Sequence, residues 1–167
     1  YGIREWGLPG CLTRLRGMYA FAVFDKADGS LTLVRDPLGV KPLYYHLQSG
    51  PLVFASEIKA LLAVPGVAKA LNPVALHHYL TFANAPAPLT FFDGILKLEA
   101  GTYLRMDRHG RARSVRHWDP ARFVPSGRPV EERECVEELR RLLRQAVARR
   151  MVSDVPFGAF LSGGVDS

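Results

Sequence analysis

The chain has 167 residues, enough for one domain, and its 48% hydrophobic and 23% charged content is that of an ordinary soluble globular protein. No apolar run approaches the ~20 residues of a membrane span, and the N-terminus lacks the basic-then-apolar order of a signal peptide; this argues against membrane and secreted classes and suits a cytoplasmic enzyme. The net charge of +6 raises nucleic-acid binding as a class, but the placement of the arginines argues against it.

Much of the arginine lies around a hairpin-like turn, Arg105 to Arg116, and in the second half of a predicted helix. In that helix Glu131, Glu132, Glu134, Glu137 and Glu138 come first, and Arg140, Arg141, Arg144, Arg149 and Arg150 come last. The order complements the helix macrodipole and pairs Glu137 with Arg141 at i,i+4, so it reads as a solvated helix face. No basic–aromatic interleaving accompanies it. Cys11 and Cys135 lie far apart without metal-ligand spacing, and neither is assigned a disulfide or a metal.

In chain order, Leu8, Cys11, Leu12 and Leu15 recur at helical spacing, ending near Gly17. Met18–Phe24 is apolar on both faces, which predicts a strand covered on two sides and a core role for its aromatics. Asp25–Gly29 is a turn, and Leu31–Val34 is the returning strand of a hairpin. Two prolines and a glycine fix a loop within Arg35–Tyr45, before extended structure from Leu43 to Leu47. A turn at Gln48–Pro51 precedes a strand at Leu52–Ala55, and Ser56 is placed to cap a helix through Ile58, Leu61 and Leu62. Asn72 as N-cap with Pro73 at the first position starts another helix, carrying Leu76, Tyr79 and Leu80. Residues 83–88 are irregular, Thr102–Met106 and Arg111–Trp118 form strands about a turn at Asp107–Gly110, and 119–129 has a linker's composition. Val136, Leu139, Leu142, Leu143, Ala146, Val147 and Met151 then give a helix an apolar stripe. His77, His78 and His109 lack ligand spacing and read as surface or packing residues.

The last eleven residues carry the chemistry. Phe157–Leu161 is too short for a helix and reads as a buried strand of a parallel sheet, on which the preceding helix packs. Gly163 and Gly164 remove two Cβ atoms where a further helix would begin, so backbone amides converge on an anion, with Ser162 and Ser167 adding hydroxyls. The anion expected is a phosphate. No lysine follows the glycines, so the loop is not a Walker P-loop. An ordinary Gly-Gly turn at a strand end is the alternative. Tyr1 is not a methionine and the chain stops inside this motif, so the expectation is an internal piece of a longer protein.

Four stretches together resemble the glutamine-hydrolysing asparagine synthetases: Leu15–Ala22, Arg35–Tyr45 (RDPLGVKPLYY), Phe54–Leu62 (FASEIKALL) and Ser153–Ser167, whose SGGVDS is similar to the pyrophosphate loop of ATP-pyrophosphatases. A weaker match spans Leu80–Leu104, where Lys97-Leu-Glu-Ala-Gly101 departs from the family's Pro-Pro-Gly form. The resemblance implies an α+β N-terminal-nucleophile glutaminase domain with an αββα sandwich, partial here at 1–118. A linker at 119–129 and the start of an α/β parallel-sheet ATP-pyrophosphatase domain at 130–167 follow. It also implies glutamine, aspartate and ATP as small-molecule substrates, Mg²⁺ as cofactor, no nucleic-acid or membrane partner, and leaves room for a homodimer.

By the same resemblance, Leu161, Ser162, Gly163, Gly164, Val165, Asp166 and Ser167 bind ATP. Asp166 either binds Mg²⁺ or complements a helix dipole. The glutaminase nucleophile, an N-terminal cysteine in the family, is expected upstream, so no catalytic residue is assigned here; Arg35, Asp36, Lys41 and Glu57 are expected to form ion pairs and fix a loop near a domain interface. A synthetase acting on another acid, β-lactam synthetase-like or from a polysaccharide or peptide pathway, is the alternative, with an inactive scaffold homologue as a further one.

Overall fold

The computed structural model describes residues 1–47, 51–123 and 131–164, and the chain divides into two compact units, Tyr1–Phe123 and Val124–Ser167. The expected turn at Gln48–Gly50, the linker residues 124–129, and Val165, Asp166 and Ser167 lie outside the described residues.

The first unit is built on two antiparallel sheets. β1 (Ala20–Asp25), β2 (Ser30–Arg35), β6 (Thr102–Met106) and β7 (Ala112–Arg116) form one in the order β1-β2-β6-β7. The other is β4 (Val53–Ala55), β3 (Tyr44–His46) and β5 (Ile95–Lys97), in the order β4-β3-β5. The period-two alternation of side chains sorts each strand between two layers. Leu33 of β2 and Leu104 of β6 meet Leu43, Leu52 and Leu98, which flank the strands of the smaller sheet, in a core between the sheets. On that sheet's other face, Tyr44, Val53 and Ile95 pack with Leu61 of α2 (Ile58–Leu62) and with Val67. Thr32 and Val34 alternate with Leu33 and are also buried, so the larger sheet is covered on both faces along β2. Cys11 and Leu12 of α1 (Gly2–Leu12) are buried too.

α1 differs from the helix expected at Leu8–Gly17. It starts at Gly2 and is kinked at Gly7, whose φ is 68°, just before Pro9. Proline has no N–H to donate and is tolerated early in a helical segment, so the kink restarts the helix around it. β1 also departs from expectation: Ala22 and Phe24 are exposed, Phe24 to 61%. Among the described residues β1 pairs only with β2, and the three-stranded sheet packs over β2 and β6, leaving the margin of β1 uncovered. At α2 the N-cap is Glu57 rather than Ser56, and no side chain caps it; the Glu57 carboxylate pairs with Lys59 on the surface at 2.7 Å.

α3 (Pro73–Phe82) begins as the sequence predicts: the Asn72 side-chain oxygen accepts from the amides of Val74 and Ala75, with Pro73 at the first helical position. The β6–β7 turn is likewise closed by Asp107, whose carboxylate accepts from the amides of His109 and Arg111. Pro120–Phe123 adds a short 3₁₀ turn.

In the second unit α4 (Glu132–Arg150) is present, with Leu139, Leu142, Leu143 and Val147 exposed. The expected Glu137–Arg141 pair is replaced by Arg141 bridging Glu138 and by Arg133 bridging Glu137. Two guanidinium nitrogens reach the two oxygens of Glu138, one of them at 2.6 Å, and this fork geometry outweighs the i,i+4 spacing. Residues 151–164 contain no strand, and Phe157, Phe160 and Leu161 are exposed, so the buried strand expected at Phe157–Leu161 is not formed. A strand exists by pairing with a neighbour, and none is present among the described residues of this unit.

Candidate functional site

Two stretches of the sequence bear on function, and the structure treats them differently. Within the terminal loop, Leu161, Ser162, Gly163 and Gly164 are described and lie in irregular, exposed backbone. Gly163 has φ 83° and open space around the position a Cβ would take. That is the left-handed conformation an amide cradle calls for and that glycine adopts without strain. Upstream, Ser153 Oγ donates to the Val155 carbonyl at 2.8 Å and accepts from the Val155 amide, bending the chain before the loop. The structure therefore brings Leu161–Gly164 together as neighbours in the chain; the part played by Val165, Asp166 and Ser167 lies outside the described residues.

The second stretch, Arg35–Tyr45, is the most heavily hydrogen-bonded node of the first unit. Asp36 is 1% exposed, and its carboxylate accepts from four backbone amides, those of Tyr19, Leu38, Val40 and Lys41, at 3.0–3.3 Å. Arg35, also buried, donates to the carbonyls of Gly39, Lys41 and Leu98. The ion pairing expected of Arg35 and Asp36, along with Lys41 and Glu57, is not what holds these two: each charge is satisfied by main-chain groups, which costs less than burying two charges on incomplete geometry. Burial alone would raise the Asp36 carboxyl, but the four amides together outweigh it and hold the group below the usual carboxylate value. Burial lowers the Arg35 guanidinium, opposed by Asp36 beside it.

The node reaches further. The Asp36 carbonyl accepts from the amide of Gly101, and the Gly101 carbonyl accepts from the amides of His117 and Trp118. His117 Nε2 lies 3.0 Å from the Arg35 carbonyl. Thus one dipeptide ties the start of β1, the loop after β2, the approach to β6 and the end of β7. Lys41 is exposed at the rim of this loop beside the exposed Leu38 and Val40. Glu57 lies apart from the node, paired with Lys59 on the surface.

Sequence reasoning missed Tyr19, Gly101 and His117 as partners of this loop. Their separations from Arg35 and Asp36 run from 17 to 82 residues, and only tertiary structure joins them. Among the described residues no three His, Cys, Asp or Glu side chains are grouped to hold a metal ion, and no helix is long and apolar enough to cross a membrane. His78 stacks on Phe82, and Arg108 reaches His109 Nε2 at 3.1 Å.

Comparison with known proteins adds the family context. Residues 2–118 match the family model of the glutamine amidotransferase domain, and residues 138–167 match that of asparagine synthase. A Methanocaldococcus jannaschii protein described as "Putative asparagine synthetase (glutamine-hydrolyzing) 2" is 39% identical over 161 residues, covering 94% of this chain and 30% of that protein. Asparagine synthetase (glutamine-hydrolyzing) 1 of Bacillus subtilis is 37% identical over 155 residues, covering 93% of this chain and 24% of its own length. Amidase chry2 of Gibberella zeae is 34% identical over 168 residues, with 98% and 24% covered. The chain spans 24–30% of the length of these relatives. Through the match that runs across most of its length, the chain belongs to the glutamine amidotransferase domain family.

Proposed function

We propose that the protein carrying this chain is a glutamine-hydrolysing, ATP-dependent carbon–nitrogen ligase that converts aspartate to asparagine. The observation that supports this reading is the order of the two family matches on one chain, amidotransferase and then asparagine synthase. In it, residues 1–118 are the later part of an N-terminal-nucleophile glutaminase whose cysteine lies outside these residues. Residues 130–167 open a parallel-sheet ATP-pyrophosphatase domain, in which Phe157–Leu161 becomes a strand once neighbouring strands pair with it. A cytoplasmic location and a homodimer are consistent with the same reading.

A carboxylate is a poor acyl donor, so the chemistry needs a leaving group. The aspartate β-carboxylate oxygen attacks the α-phosphorus of ATP and pyrophosphate leaves. Ammonia from glutamine then attacks the acyl carbon of the mixed anhydride and AMP leaves. The task of Ser162, Gly163, Gly164 and Ser167 is to hold the departing pyrophosphate with amides and hydroxyls, supported by the positive φ of Gly163. Leu161 and Val165 contribute backbone to the nucleotide site. Asp166 suits Mg²⁺ in its donor chemistry, because that ion is commonly held by one or two carboxylates together with phosphate oxygens. When bound, it would neutralise charge on the pyrophosphate. The Arg35–Asp36 node keeps the loop beside it in one shape.

A different acceptor acid is the second reading, favoured by the relative described as an amidase. A panel of amino and other carboxylic acids, with glutamine, ATP and the intact protein, separates the two by pyrophosphate release. Asparagine and pyrophosphate formed with aspartate are expected. Release with another acid but not with aspartate overturns the choice of substrate, and release with none supports a scaffold role.

A further inference from the structure

The structure assigns a second small-molecule site to the cavity of about 190 Å³ between α3, β5 and the irregular segment 83–91, and we propose that it binds a small organic carboxylate with a flat apolar body. None of its lining residues belongs to the terminal loop, and it does not rest on the reading above. The walls are mainly apolar, with Phe91 meeting Tyr79 edge to face at 5.2 Å between ring centroids. Besides Thr90, whose hydroxyl is taken up by the Phe92 and Ile95 carbonyls, four polar side chains line the same space: Tyr44, Tyr79, Asn84 and Lys97. None of the four has a hydrogen bond or ion pair among the described residues, and no acidic side chain lines the cavity.

Lys97 sets the charge of the ligand. It stands opposite Tyr44 in the β3–β5 register, so both side chains leave the same face of the sheet, the face covered by α2. A lysine in a lining without a counter-ion favours an anion, while the phenol and amide groups supply further donors. An apolar cavity with a few unengaged polar groups is the usual form of a ligand site, and this one is smaller than those that hold drug-sized molecules. A benzoate-sized anion fits that description, with its ring against Tyr79 and Phe91 and its carboxylate at Lys97. Ala83, the one non-glycine described residue at positive φ (54°), also lines the cavity and turns the chain out of α3.

The test is calorimetric titration of the intact chain with benzoate, using benzamide as the neutral isostere. Saturable benzoate binding is expected, at least tenfold weaker for benzamide and for Lys97→Met, and largely restored in Lys97→Arg. Absence of saturable benzoate binding, equal binding of benzamide, or undiminished binding by folded Lys97→Met overturns the proposal. If Lys97→Met fails to fold, the benzoate–benzamide comparison on the unmodified chain decides alone.

Discussion

Asp36 shows how a single carboxylate can organise a loop. It takes four amides that would otherwise face a low-dielectric interior, and removing such an acceptor leaves buried donors without partners. Replacing Asp36 by Asn should cost on the order of 3 kcal/mol in urea unfolding. The pH dependence follows from the lowered folded-state pKa. The stabilisation is complete above the ordinary carboxylate value of ~3.9 and is lost as pH falls through the folded value. Stability of the unmodified chain should therefore fall on acidification below about pH 4, and Asp36→Asn should flatten that limb. Gly101 gives a second measure of the node. Its φ is 62°, and a Cβ would lie 2.6 Å from the Trp118 carbonyl oxygen, whereas Gly110, at φ 79°, has open space around it. Alanine at 110 should cost about 1 kcal/mol, from the left-handed backbone alone. Alanine at 101 should cost roughly two to three times as much, because the backbone holding His117 and Trp118 must move.

At the scale of elements, α3 is the case in which local chemistry suffices. The Asn72–Pro73 start is a sequence signal and is realised as a cap, so Asn72→Ala should lower stability by about 1 kcal/mol in thermal or urea melts. The hairpins were legible for the same reason: Asp25–Gly29 and Asp107–Gly110 carry turn chemistry at fixed offsets, and β1–β2 and β6–β7 pair across them. What was not legible depends on neighbours. The composition of Met18–Phe24 predicts a strand but cannot say that Phe24 stands at an uncovered margin. Leu8–Leu15 shows helical spacing, yet Gly7 and Pro9 move the helix toward Gly2. Phe157–Leu161 has the composition of a buried strand, and composition alone does not supply the neighbouring strand that would pair with it.

For the whole molecule, charge and fold tell separate stories. The arginines that make the chain basic are partly spent on its own carboxylates: Arg105 on Asp28, Arg111 on Asp107 and Arg116 on Glu99 along the larger sheet. Such exposed pairs add little stability but lower the density of free positive charge that a polyanion would meet. The candidate nucleotide loop is proposed from sequence because its requirements are local: a serine, two glycines, an aspartate and a serine after an apolar run. The Arg35–Asp36 node was recognisable only as a motif, since its distant partners are Tyr19 just before β1, Leu98 and Gly101 between β5 and β6, and His117 just after β7. The central claim is that Ser162–Ser167 holds the phosphates of ATP, and ATP–pyrophosphate exchange by the intact protein with aspartate tests it most directly. Exchange should be robust in the unmodified protein and abolished in Asp166→Asn, while an unchanged rate in that variant would contradict the account.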